Sequence, residues 1–170
     1  TDNFIRNRLT ELAIDFDDDT TFPGSGSGVY TLTLTGGSVT ITNNVTYITP
    51  ETLGQVNTPI GHVTGGRSVS GSFTCYLNHE TTGNSGTSSD FFADMTAASA
   101  LTKITNKVST TFKVGGASGT PRLELAMANA HFEIPSHNIE EVIALETNFH
   151  ALPSTIDEKD ELTLKYVGKA

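Results

Sequence analysis

A chain of 170 residues is long enough for one domain with a core of its own. Apolar residues make up 36%, Trp is absent and Thr is the commonest residue, a composition that favours pleated, half-solvated sheets over helices. The formal net charge of −9 excludes the basic footprint that ordinary nucleic-acid binding needs.

The acid is unevenly placed. Residues 1–19 hold six acids and two bases, residues 20–138 six and five, and residues 139–170 seven and three. In the simplest reading the acidic ends keep the protein soluble; an acidic surface would equally fail to stick to a polyanion. The single cysteine, Cys75, rules out an internal disulfide and falls on the apolar side of an alternating run, as a buried inert thiol would. No apolar run approaches the roughly 20 residues of a membrane helix, and no secretory signal is visible. The first residue is Thr, which suits a processed chain or a piece of a longer one.

Residues 2–13 place Phe4, Ile5, Leu9 and Leu12 at near-helical spacing, as in a short helix or an arm. Asp15 to Asp19 is a like-charge run that lacks the spacing and the distal Glu of a calcium loop, so it reads as a solvated acidic turn. Phe22 to Gly28, FPGSGSG, has the composition of a flexible linker. Val29 to Thr35 and Ser38 to Ile48 then alternate, and Gly36-Gly37 between them signals a tight turn and hence a hairpin. Thr49 to Thr64 is a long connection in which Pro50 and Pro59 forbid a central strand, while Val56, Ile60 and Val63 need cover from a partner surface.

Gly61 to Leu77, GHVTGGRSVSGSFTCYL, starts as a glycine-rich loop. From Val69 it becomes a strand with Val69, Gly71, Phe73, Cys75 and Leu77 on the buried side and Ser70, Ser72, Thr74 and Tyr76 on the other. Arg67 stands at its mouth as the one charge between Glu51 and Glu80. A polar loop leads to a helix from Phe91 to about Ser99, capped by Ser89 or Asp90, with Phe91, Phe92, Met95 and Ala98 as the stripe that lies on a sheet. Val108 to Val114 and Arg122 to Ile134 are strands, and the phase change between Met127 and Phe132 predicts a bulge near Ala128 to Ala130. Ile139 to Leu152 fits a helix in part, but nine residues of clean alternation favour a strand. Glu161 to Val167 closes the chain as a last strand.

Catalytic chemistry is sought without success. His62, His79, His131, His137 and His150 fall in different elements and form no HxH or HxxxH pair, so no metal site is expected, and no cofactor. Glu140 and Glu141 are adjacent and would point to opposite faces of a strand. Ser68, Ser70 and Ser72 share a face but form no nucleophile elbow. An enzyme is therefore not the expected class.

The run GHVTGGRSVSGSFTCYL, the polar loop and helix DFFADMTAAS, and the later IPSHNIEEVIALETNFHALPS together resemble the tail tube (major tail) proteins of tailed bacteriophages, over roughly Gly37 to Gly168. The resemblance implies a mainly β fold, two packed antiparallel sheets in a β-sandwich or tube-type barrel with one short flanking α-helix. It divides the chain into an N-terminal arm and linker, residues 1–28, and a tube domain, residues 29–170. It implies self-assembly into stacked, hexameric rings in the virion, the protein being made in the host cytoplasm. Phage DNA would pass through the lumen without specific binding; sheath, baseplate and tail terminator proteins are further candidate partners, and no membrane is involved. Under this reading Glu124, Glu133, Glu140 and Glu146 are the strand-borne acids expected at the lumen. Val56, Ile60, Val63, Arg67 and Phe22 are expected at contacts between subunits or rings. The rival reading is a monomeric β-sandwich that binds a ligand such as a carbohydrate, which would want an exposed aromatic platform; the four Tyr are scattered over four strands.

Overall fold

A computed structural model of the chain describes residues 5, 10–17, 21–24, 27–49, 59–79, 87–100, 108–115, 121–139, 141–155 and 158–168. In chain order the strands are β1 (Glu11–Phe16), β2 (Val29–Ile48), β3 (Gly61–Tyr76), β4 (Val108–Val114), β5 (Arg122–Phe132), β6 (Ser136–Ile139), β7 (Ile143–Leu152) and β8 (Thr163–Val167), with one helix, α1 (Ser88–Thr96), between β3 and β4. All pairings are antiparallel, in the order β6-β7-β3-β2-β1-β4-β5-β8. A further pairing of β5 with β7, Asn129 to Phe132 opposite Leu152 to Phe149, joins the sheet back on itself. Strands β1, β2, β3, β7, β5 and β4 thus close a barrel, and β6 and β8 extend it on either side of the β5–β7 seam. The expected mainly β fold with one short helix is borne out; its strands are hydrogen-bonded into one sheet rather than two.

Period-two alternation builds the interior. Leu12, Ile14 and Phe16 of β1, Tyr30 and Leu32 of β2, Val69, Phe73 and Cys75 of β3, Phe112 of β4, Phe132 of β5 and Leu145 and Phe149 of β7 are all buried. The bulge expected near Ala128 to Ala130 is present: β5 spends an extra residue there, between the pairs Thr110–Met127 and Val108–Ala130. Gly71 is required by close approach. A Cβ on it would lie 2.1 Å from the Ser38 carbonyl oxygen and 2.6 Å from the Phe149 ring, which covers the glycine.

Helix α1 closes one end of the barrel. Thr87 is its N-cap and forms a capping box with Asp90, two or three residues before the caps expected from sequence. Phe91 drives into the end of the core, with its ring against those of Phe16, Tyr30, Phe73 and Phe132. The buried Tyr30 hydroxyl donates to Asp94 Oδ2 on the same helix at 2.5 Å.

Four expectations are corrected. Glu11 to Ala13, placed by sequence in a helix or arm, and Asp15 and Phe16, placed in a solvated acidic turn, lie in strand β1, paired on both sides between β2 and β4, so the sheet begins well before residue 29. Leu12 sits at helical spacing from residues before it but also alternates with Ile14 and Phe16, and the strand period wins. Gly36-Gly37 is no turn: β2 runs straight through as one strand of 20 residues, with a bulge between Leu34 and Gly36 where it leaves β1 and takes β3 as its partner. Gly61 to Ser68 is strand throughout, because β2 is long enough to pair with it. The described part of Phe22 to Gly28 is a pinned turn: Phe22 stacks on Phe16, Gly28 N–H donates to the Pro23 carbonyl, and Phe16 N–H donates to that of Gly28. The left-handed backbone of Gly24 and Gly28, φ 49° and 71°, lets the chain turn this sharply.

Candidate functional site

The barrel presents two outer faces and one projecting ribbon. The first face belongs to β1, β4, β5 and β8. Apart from the exposed Asp15, its charges pair with one another: Lys113 Nζ lies 2.8 Å from Glu11 Oε1, Arg122 Nη2 lies 2.6 Å from Glu124 Oε1, and Lys165 Nζ lies 3.5 Å from Glu124 Oε2.

The second face belongs to β2, β3, β7 and β6. The register sets Ser38 opposite Ser72, Thr40 opposite Ser70 and Thr42 opposite Ser68, and the hydroxyls of Ser38 and Ser72 stand 3.3 Å apart. Across β3, Thr74 faces Glu146, Ser72 faces Asn148 and Ser70 faces His150, and Ser136 of β6 follows beside Glu146. These four strands contain a single Lys or Arg, Arg67. Its odd position turns it to the other side of β3, where its guanidinium Nε donates to Glu161 Oε2 at 3.0 Å and Nη2 donates to the same oxygen and to the Lys159 carbonyl. That contact holds the Glu161 carboxyl below the usual carboxylate range, against an opposing effect of burial. The face is left with hydroxyls, amides, histidine and the carboxylate of Glu146. Glu133 joins it from the end of β5: its backbone N–H donates to the Asn148 carbonyl, and its carboxylate accepts from Asn148 Nδ2 at 2.8 Å.

The ribbon is the far half of the β2–β3 pair. β7 borders β3 from Val69 onward, and β1 borders β2 up to Thr33, so among the described residues Asn43 to Ile48 and Gly61 to Arg67 pair with each other and with no third strand. Ile41, Val45, Tyr47, Ile48, Ile60 and Val63 are exposed on or beside it. At the barrel end opposite α1, a cleft of about 270 Å³ opens at the bend of β2, lined by Leu34, Val39, Phe112, Val114 and Leu125. Further apolar groups stand exposed on the flanking strands, among them Ile139 of β6 at 77% and Tyr166 of β8 at 69%.

The residues singled out from sequence separate accordingly. Glu133 and Glu146 share the hydroxyl face, Glu124 lies on the ion-paired face, and Glu140 lies outside the described residues. Ile60 and Val63 are exposed, at 65% and 56%, and Val56 lies outside the described residues. Phe22, expected at a contact between subunits or rings, is 2% exposed and packs inside its own barrel. Arg67, expected there too, is occupied by Glu161 of its own chain. Sequence reasoning missed the ribbon and the Glu161 partner. The signal for the ribbon was the continued Ile, Val and Tyr content of β2 past the point where any third strand could cover it. Burial pushes the Cys75 thiol up to about 11, which keeps it protonated and unreactive. Among the described residues no three His, Cys, Asp or Glu side chains converge, and no helix is long and apolar enough to cross a membrane.

No protein-family model matches the chain. In sequence it is 33% identical over 169 residues to the tail tube protein pb6 of Escherichia phage T5. The alignment takes in 98% of this chain and 33% of that protein, so the chain spans about a third of its relative's length. Among solved structures it overlaps a chain of the virion of a native gene transfer agent particle and a chain of the tail of an empty gene transfer agent particle refined with C6 symmetry. Identities are 11% and 14%, coverage is 92% of this chain and 95% of theirs, and the TM-score is 0.46 in both cases, which supports no further conclusion. The resemblance to phage tail tube proteins is thus borne out by sequence: nearly the whole of this chain is similar to one part of such a protein.

Proposed function

We propose that the chain is a structural subunit of a phage tail tube, resident in the virion, which assembles into stacked hexameric rings whose lumen conducts DNA. The observation that carries this reading is the similarity to a tail tube protein along 98% of the chain. The ring number is the one that the family resemblance implies.

The geometry supports a finer statement. The face of β2, β3, β7 and β6 lines the lumen. A wall that lets a polyanion slide must offer no cation to its phosphates, since each Lys or Arg contact adds to binding. This face offers hydroxyls and, from Glu133 and Glu146, a weak repulsion that symmetry multiplies around a ring. The ion-paired face of β1, β4, β5 and β8 then turns outward. Strands β6 and β2 flank the lumen sheet, and pairing between neighbours there would hide their open edges and the apolar side chains of the ribbon.

Negative-stain electron microscopy with light scattering on the purified full-length protein tests the assembly; rings or hollow tubes are expected. The lumen assignment is tested on tubes by substituting lysine on either face. Ser70→Lys with Ser72→Lys should retain DNA in a salt-dependent manner, and Ser109→Lys with Thr111→Lys, both on β4, should not. Equal behaviour of the two pairs would overturn the assignment.

A further inference from the structure

We propose that the contact between Arg67 and Glu161 is a clasp that fixes the direction of the projecting β2–β3 ribbon, and that the ribbon swings about its root when the clasp opens. A two-stranded ribbon on its own is marginal in water, so its angle has to be held from outside. Among the described residues the far half of β2 and β3 is such a ribbon, since β7 leaves β3 at Val69 and β1 leaves β2 at Thr33.

The bend at the root is built into the ladder. Between the pairs Asn43–Arg67 and Val45–Thr64, β3 spends two residues, Gly65 and Gly66, where β2 spends one, Asn44. A bulge of this kind bends the strand that carries it. The approach is close: a Cβ on Gly65 would lie 2.9 Å from the Asn44 carbonyl oxygen, and Asn44 Nδ2 donates to the Gly66 carbonyl at 3.1 Å.

The clasp grips the residue next to this bulge. Arg67 Nε donates to Glu161 Oε2 at 3.0 Å, and Nη2 donates to the same oxygen and to the Lys159 carbonyl. The other jaw belongs to the barrel. Leu162 packs against the core beside Glu161, and β8 starts at Thr163. The connection from β7 is braced by Ser154 N–H, which donates to Asp160 Oδ1 at 3.0 Å, and by Glu158 N–H, which donates to the Thr155 carbonyl at 3.1 Å. Glu161 is 7% exposed, the one buried carboxylate among the described residues. A buried carboxylate without its cation is costly, which holds Arg67 in place. The clasp thus carries the barrel's hold on β3 from Val69, where β7 ends its pairing, out to the bulge. It presents Val45, Tyr47, Ile48, Ile60 and Val63 in one direction in the free chain. Under the proposed function this preorganises the ribbon for a neighbouring subunit, a consequence that rests on that reading as the clasp itself does not.

The test is double electron–electron resonance on the full chain, spin-labelled at Thr46→Cys on the ribbon and Ser109→Cys on β4. Both positions are exposed, and Cys75 is buried. Dilution with unlabelled chain restricts the reading to distances within one molecule, so the result is independent of assembly. One narrow distance distribution is expected, and Glu161→Gln and Arg67→Gln should each broaden it. Amides of Asn43 to Ile48 and Gly61 to Arg67 should exchange roughly tenfold faster in both variants, as loss of a charged hydrogen bond implies, with the β1–β4 ladder unchanged. Glu11→Gln, which removes a different ion pair, should change neither reading. Where a single variant does not fold, Arg67→Gln with Glu161→Gln, which leaves no charge buried at the clasp, carries the test. A distribution already broad with the clasp intact, one that stays narrow in the folded variants, or exchange that accelerates equally in the barrel would overturn the proposal.

Discussion

The two outer faces of the barrel are built from the same material and used differently. Both arise from strands that alternate apolar with Ser and Thr around a common core, so folding alone has no reason to distinguish them. Yet the charges of β1, β4, β5 and β8, Asp15 apart, are gathered into pairs, Lys113 with Glu11 and Arg122 and Lys165 with Glu124. The one cation of β2, β3, β6 and β7 is turned away from the hydroxyl face and held by Glu161. A solvent-screened ion pair such as Lys113–Glu11 contributes little to stability, and its absence from one face costs little. Under the proposed function, the asymmetry reflects what each face would meet in a tube.

The comparison breaks most severely at the core that both faces share. Phe91→Ala removes the ring that meets Phe16, Tyr30, Phe73 and Phe132 and should destabilise the protein by about 3–5 kcal/mol. Urea denaturation should show both faces lost together. A sharper cut falls on the hydroxyl face alone. Gly71→Ala drives a methyl group toward the Ser38 carbonyl and the Phe149 ring and should cost about 1–3 kcal/mol by overpacking. Hydrogen exchange should then report faster opening between β2 and β3 than between β1 and β4.

Acidity separates the faces next. The Glu161 carboxyl is held below its ordinary value by Arg67, so its contribution is present in full above the unfolded carboxylate range. It is lost as pH falls through the lowered folded value. Asp94 works in the opposite sense: burial raises its value, so protonation as pH falls favours the folded state there. Glu161→Gln should lower the melting temperature at neutral pH and flatten its fall on acidification, which a series of melts between pH 7 and about pH 3 would read. The smallest effects lie at the surface. Glu124→Gln, which strips the acid from two cations, should cost about 1 kcal/mol. Glu146→Gln should stay within about 0.5 kcal/mol, because among the described residues no cation pairs with it.

Much of this asymmetry was legible in the sequence. The alternation of Ile143 to Leu152, the split of Val69 to Tyr76 into apolar and hydroxyl sides and the phase change that marks the β5 bulge are local patterns realised as read; of the helical stripe Phe91 and Met95 are buried, but the helix ends at Thr96 and Ala98 is exposed beyond it. What stayed hidden depends on partners far along the chain. Gly36-Gly37 reads as a turn until β3 is known to continue alongside, and the residues before Asp15 read as an arm until β4 is known to flank them. Arg67 reads as a free charge because Glu161 lies 94 residues away.

Helical reconstruction by electron cryomicroscopy of tubes assembled from the full-length protein tests the central claim most directly. The account predicts Ser38, Ser70, Ser72, Glu146 and Asn148 on the lumen wall, and the Lys113–Glu11 and Arg122–Glu124 pairs on the outside. A lumen lined instead by those ion pairs, with the Ser/Thr face turned outward, would contradict it.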